Sequence, residues 1–363
     1  MIAADRPVQR PADARLLVAR ADGRLTHIER ARWTDLLQPG DLVVANDAAT
    51  LPASLMGERV GDGAALEVRL AGRRSLAPDD LRGFTAVVFG AGDHRTRTEN
   101  RPPPPALAPG DLLRLGERDA PLYATVQALL GSARLVRLAL HGTPDAVWAG
   151  IARHGRPVQY AHLPQPLALW DVWTPIAALP AAFEPPSAGF AIDWSVLSAL
   201  RERGAGFATL THAAGLSSTG DAELDARLPF DEPYRIPAVT ARAIAQARRR
   251  RGRVIAVGTT VTRALEHAAA RGGGTVRAGD GVADQRLGRQ SRLQVVDVLL
   301  TGVHEPGTSH HALLQAFVPG QALAAIDEAL EAGGYRTHEF GDSLWLDRLC
   351  GATSAGAAEP RAA

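Results

Sequence analysis

Lysine is missing altogether: the 40 basic residues are all arginine, set against 39 acidic ones for a formal charge of +1. That absence excludes Schiff-base chemistry on lysine and the ammonium of a P-loop. Cysteine is confined to Cys350, which excludes a disulfide framework, a CxxC redox pair and a multi-cysteine zinc centre. No apolar run approaches the roughly 20 residues of a membrane-spanning helix. The opening MIAADRPVQRPADAR carries acids and prolines where a signal peptide needs a hydrophobic run. The balanced charge argues against a polybasic nucleic-acid coat. The chain therefore reads as soluble and cytoplasmic, with neither membrane nor DNA as partner.

What is present is a chain of 363 residues with 46% hydrophobic content, enough for two cores. The first segment reads as strands over Ala14–Ala19, Leu25–Ile28 and Leu42–Ala45, the last a continuous apolar run suited to a strand covered on both faces. From about Gly57 to His141 short β-like runs alternate with Gly, Asp and Pro turns, the spacing of a small antiparallel barrel or sandwich. Within it, Asp93–Pro109, with its proline run Pro102–Pro105, reads as an extended exposed loop. Beyond 150 strands and helices alternate. Asp193 is placed to cap a helix that Gly204 stops, and Pro237 sits at the first turn of another. Strands are expected at Phe207–Thr211, Arg253–Val257 and Leu293–Leu300. Helices are expected at Thr262–Ala270, His310–Phe317 and Ala322–Glu331. Such alternation implies a mostly parallel sheet with helices packed on it.

The sharpest local feature is Val254-Ile-Ala-Val-Gly-Thr-Thr-Val-Thr-Arg-Ala-Leu-Glu266. A strand delivers Gly258 to a tight turn and a helix begins. Such a corner presents backbone N–H groups to a carboxylate or phosphate at the positive end of the helix. Thr259 and Thr260 could donate to the ligand, Arg263 could pair with an anion, and Glu266 could accept from a hydroxyl or amine. The plainer reading is a corner whose threonines cap the helix while Arg263 pairs with Glu266, and local sequence leaves the two even. His212, at a strand end before a small-residue loop, is a candidate general base; a turn histidine bonded to local backbone is the alternative. Thr301–His311 carries three histidines and Glu305, ordinary zinc ligands. The adjacent His310 and His311 point about 100° apart on a helix, so no metal is expected there. Arg248–Arg251 reads as a solvated helix end.

Several stretches, in order along the chain, resemble the S-adenosylmethionine:tRNA ribosyltransferase-isomerase family. They are Gln38-Pro-Gly-Asp-Leu-Val-Val-Ala-Asn-Asp47, Gly252-Arg-Val-Ile-Ala-Val-Gly-Thr-Thr260 with Arg263 and Glu266, Val296-Asp297, and Tyr335-Arg336 with Phe340-Gly-Asp342. The resemblance runs from about Pro11 to Leu346. It implies a larger, mostly parallel α/β domain interrupted by an inserted antiparallel β-barrel: residues 1–56 and 150–346 for the first, 57–149 for the second, and a disordered tail over 347–363. It also implies a reaction, in which the ribosyl part of S-adenosylmethionine is moved to the aminomethyl group of a 7-deazaguanine in tRNA. The product is epoxyqueuosine, and adenine and methionine leave. S-adenosylmethionine is then a co-substrate, tRNA the expected partner, and no metal is called for.

Under that resemblance His212, His304 and Glu232 are the catalytic candidates. Gly258, Thr259, Thr260, Arg263 and Glu266 are assigned to S-adenosylmethionine, and Asn46, Asp47, Ser187 and Asp342 to substrate. Some motifs depart from the family. NDTRVxPARL is here Asn46-Asp-Ala-Ala-Thr-Leu-Pro-Ala-Ser-Leu55, with Ala49 and Ser54 in place of arginines. PTAGLHF loses its histidine at Ala191, and the paired histidines of EHxMHxE give way to Arg227 and Phe230, leaving Glu232. Because the departures cluster in loops that act rather than pack, two other readings stand beside the tRNA enzyme. One is a paralogue using a small-molecule acceptor; the other is a non-catalytic RNA-binding member.

Overall fold

The computed structural model describes residues 1–349. Its larger sheet has nine strands, and four neighbours at its centre are parallel: Gly206–His212, Leu42–Asn46, Val254–Val257 and Val298–Gly302, in that spatial order. The flanks are mixed. Glu232–Ile236 and Gly279–Ala283 extend one side antiparallel. On the other side Ser343–Asp347 lies antiparallel to its neighbour and parallel to Arg15–Ala19, which pairs antiparallel with Leu25–Glu29.

Alternate residues of each central strand feed two cores, as the period-2 geometry of a strand requires. Leu42, Val44, Val254, Ala256 and Leu299 face helices Ala238–Arg249, Thr259–Arg271 and Gly320–Ala332. Val43, Ala45, Ile255, Val257 and Leu300 face Trp33 and the helix Trp194–Glu202. Burial on both faces explains why these strands read as unbroken apolar runs. Asp193 caps its helix as expected, accepting from the Val196 N–H at 2.9 Å.

Between Leu42–Asn46 and Gly206–His212 the chain builds a closed antiparallel barrel of six strands. Its strands are Ser54–Arg59, Ala65–Gly72, Arg82–Phe89, Leu112–Leu115, Leu122–Leu129 and Leu135–Leu140. The loop over Asp93–Pro109 is not simply exposed. Its Arg101 is 2% exposed, donates to the Gly92 carbonyl at 2.8 Å and is paired with Glu67, which ties the proline-rich segment to the barrel.

Some boundaries differ from the sequence reading. The strand expected over Leu293–Leu300 is restricted to Val298–Gly302, because the N–H groups of Gln294, Val295 and Val296 donate to the Glu266 carboxylate instead of to a ladder. The helix after Gly258 starts at Thr259 rather than Thr262, and the one expected over His310–Phe317 spans Ser309–Leu314. The expected tail began at 347, yet Asp347 closes a strand and Leu349 donates to the Phe317 carbonyl; the remainder of that tail, 350–363, lies outside the described residues.

Candidate functional site

The parallel strands share one carboxyl edge, and it collects Asn46, His212, Gly258 and the Thr301–His304 turn. From Leu42–Asn46 the chain reaches Gly206–His212 on one side. From Val254–Val257 it passes through the Thr259–Arg271 helix to Val298–Gly302 on the other. Between those two adjacent strands the winding reverses, which is where open α/β sheets place their ligands. Here Asn46 Nδ2 donates to Thr260 Oγ1 at 3.5 Å, joining the end of one strand to the helix that follows the other.

Gly258 holds φ +98°, a left-handed conformation that side chains resist, and it precedes the helix without a side-chain cap. The N–H groups of Thr259, Thr260 and Val261 have no acceptor among the described residues. Thr262 uses the remaining first-turn bond, donating to the Gly258 carbonyl at 3.3 Å. The corner therefore offers three N–H donors to an anion. Ser187 opens the adjoining turn Ser187–Ala191, whose Ala188 lies against Gly258.

Beside the corner stands an imidazole–carboxylate pair. His212 Nε2 lies 2.7 Å from Glu232 Oε2, and Gly215 N–H donates to Oε1 at 2.6 Å. Arg263 Nη1 completes the set on Glu232. Burial pushes this carboxyl upward, but the bond and charge of His212 and the Arg263 guanidinium outweigh it and hold its pKa at about 2. In the neutral form of the ring, Nε2 donating to Glu232 leaves Nδ1, which has no partner among the described residues, as the accepting atom. The ring is fully buried, so a substrate reaches Nδ1 only when the chain over it moves.

Several assignments made from the sequence are corrected. Arg263 is not an open anion cradle: besides Glu232 it donates to the carbonyls of Gln285, Phe230 and Ala283, and it is 3% exposed. Its carboxylate partner is Glu232 and not Glu266. Glu266 is spent on the three N–H groups of Gln294–Val296. Asp342 accepts from the backbone N–H of both Arg15 and Arg336 and from both guanidinium groups, so it pins strands rather than substrate. Asn46 is turned onto the backbone of His212. Asp47 keeps a freer carboxylate, with Oδ1 accepting from Thr211 Oγ1 at 2.6 Å.

His304 Nε2 lies 2.8 Å from Thr301 Oγ1, and its ring stacks on His310 with centroids 5.1 Å apart. Burial and the neighbouring histidines hold His304 well below the ordinary imidazole range, so it is neutral at pH 7 and suited to positioning rather than to acid catalysis.

Sequence reasoning missed Glu184, which immediately precedes the Pro185–Gly189 turn. Tyr160 donates its hydroxyl to Glu184, and Ser217 N–H donates to it at 3.0 Å. Burial raises this carboxyl to about 7 despite those bonds, and the charge of Glu339 adds to the rise. It also missed the grouping of His162, His338 and Glu339, since the discounted metal set involved other histidines. The available signal was a His-Glu pair directly before Phe340-Gly-Asp342.

A family model described as queuosine biosynthesis protein matches residues 1–346. The chain belongs to that family. It is 35% identical to the S-adenosylmethionine:tRNA ribosyltransferase-isomerase of Sorangium cellulosum, over 94% of each chain. It is 33% identical to the enzyme of the same name from a Synechococcus species, over 94% of this chain and 91% of that one. A crystal structure of an S-adenosylmethionine tRNA ribosyltransferase from Thermotoga maritima covers 95% of this chain and 96% of its own, at 21% identity and a TM-score of 0.49. Among the described residues no helix is long and apolar enough to cross a membrane.

Proposed function

We propose that this queuosine-family chain transfers and isomerises the ribosyl moiety of S-adenosylmethionine onto 7-aminomethyl-7-deazaguanine in tRNA. The products are epoxyqueuosine in tRNA, adenine and methionine, and the reaction takes place in the cytoplasm. The observation that carries this reading is an uncapped helix start and an imidazole oriented by a carboxylate at one carboxyl edge of the sheet, with Asn46 touching both.

Each part answers a need of the reaction. The sulfonium of S-adenosylmethionine acidifies its 5′ carbon and makes methionine a good leaving group. A base must take the 5′ proton, and His212 Nδ1 is that base, with Glu232 stabilising the imidazolium that forms. The N–H groups at Thr259 to Val261 take the methionine carboxylate. Asp47 and the Ser187 hydroxyl serve the ribose, and His304 positions the acceptor side of the crevice. Once the ribose is held, the acceptor amine only has to be placed beside the opened sugar.

The test is product analysis with the full chain, S-adenosylmethionine and tRNA bearing the 7-aminomethyl base. Adenine and methionine are expected in equal amounts, and ribonuclease treatment should abolish both. Release that survives ribonuclease would move the acceptor to a small molecule. S-adenosylhomocysteine as product would overturn the reading.

A further inference from the structure

Two segments far apart in the sequence place three ligand-type side chains together that the proposed chemistry leaves unused. The imidazoles of His162 and His338 stack with centroids 4.1 Å apart and planes 13° apart. Glu339 Oε2 lies 3.1 Å from His162 Nε2. One ligand atom from each of the three falls within 4.8 Å of the other two. A second carboxylate, Glu305, comes to 3.4 Å from His338 Nε2.

We propose that His162, His338 and Glu339 bind a divalent first-row transition metal ion of the zinc type. Two imidazoles and one carboxylate are a donor set suited to zinc, cobalt or iron, whereas magnesium and calcium take oxygen ligands.

The backbone reinforces the arrangement. His338 holds φ +67°, a left-handed conformation uncommon for a residue with a side chain. The turn is fixed on both sides: Gly341 N–H donates to the His338 carbonyl at 3.0 Å, and Arg336 N–H donates to Asp342 at 2.8 Å. An ordinary surface His–Glu pair needs neither the second ring nor this turn. The side chains of His162, Glu339 and His338 are 13%, 19% and 32% exposed, so an ion can enter and water can complete its coordination. Glu305 stands where a carboxylate orients a ligating imidazole.

The test reads metal occupancy directly rather than ribosyl transfer. The untagged full chain is stripped with a chelator and titrated with Co²⁺, following the visible absorption of the bound ion. One Co²⁺ per chain is expected, displaced by equimolar Zn²⁺ and unaffected by excess Mg²⁺. His338→Ala and Glu339→Gln should each weaken Co²⁺ binding by at least about tenfold, and Glu305→Gln by roughly tenfold or less. Circular dichroism checks that each variant is folded, and Glu339→Gln, the closest in shape, carries the test if an alanine variant is not. Absence of one-to-one binding would overturn the proposal. So would unchanged affinity in folded Glu339→Gln, or loss of the ion in His310→Ala instead.

Discussion

The side-chain amide of Asn46 grips the backbone of His212 at two points. Its Nδ2 donates to the His212 carbonyl and its Oδ1 accepts from the His212 N–H, both at 2.9 Å. Oδ1 also accepts from the Ala48 N–H at 3.0 Å. The ends of two adjacent parallel strands are thereby locked, and with them the direction in which the imidazole leaves the sheet.

Asn46→Ala leaves the His212 N–H and carbonyl buried without that partner. The expected cost is about 1–3 kcal/mol of stability, read by urea unfolding. Turnover should fall by more than S-adenosylmethionine affinity, because the base loses its setting while the corner loses only the long contact of Asn46 with Thr260 Oγ1 and keeps its N–H donors. Unchanged turnover would remove Asn46 from the account as a positioning residue.

Glu232 ties the base to Arg263. Glu232→Gln leaves that guanidinium buried without its countercharge, a change expected to cost about 3–5 kcal/mol. The pH dependence follows from the lowered folded-state pKa. Glu232 binds fewer protons folded than unfolded, so its contribution is full above about pH 4.5 and is lost as pH falls toward about 2. Acid titration of unfolding should show this loss in the native chain and not in Glu232→Gln.

Glu184 has the opposite sign. Its folded-state pKa, raised to about 7, means the folded chain holds the proton longer than the unfolded one. Stability should therefore drop by about 3 kcal/mol as pH rises from 4.5 through 7 and level off above that. Glu184→Gln should erase the slope, which unfolding midpoints at pH 5 and pH 8 measure directly. Equal slopes in both proteins would mean that Glu184 ionises freely.

The corner at Gly258 was legible in the sequence because its logic is local: an apolar strand, a glycine, two threonines and a helix follow one another. The pairing of His212 with Glu232, 20 residues on, and with Asn46, 166 residues back, was not legible, since it depends on which strands the sheet sets side by side. Arg263, Glu266 and Asp342 were read as ligand contacts because a charged side chain looks the same in sequence whether it meets a ligand or a backbone N–H. The barrel was visible as a change in turn spacing.

Binding and chemistry separate at the corner itself. Gly258→Ala forces a side chain into a left-handed backbone at a cost of roughly 1–2 kcal/mol and should disturb the donors at Thr259 to Val261. Calorimetry should show weaker S-adenosylmethionine binding in this variant and in Thr259→Val. Affinity equal to the native chain in both would place the ligand elsewhere.

The most direct test of the base is single-turnover adenine release by His212→Ala, with S-adenosylmethionine affinity measured in parallel. The account predicts a rate lower by roughly 10²–10⁴-fold with affinity nearly unchanged. A His212→Ala variant that releases adenine as fast as the native chain would contradict it.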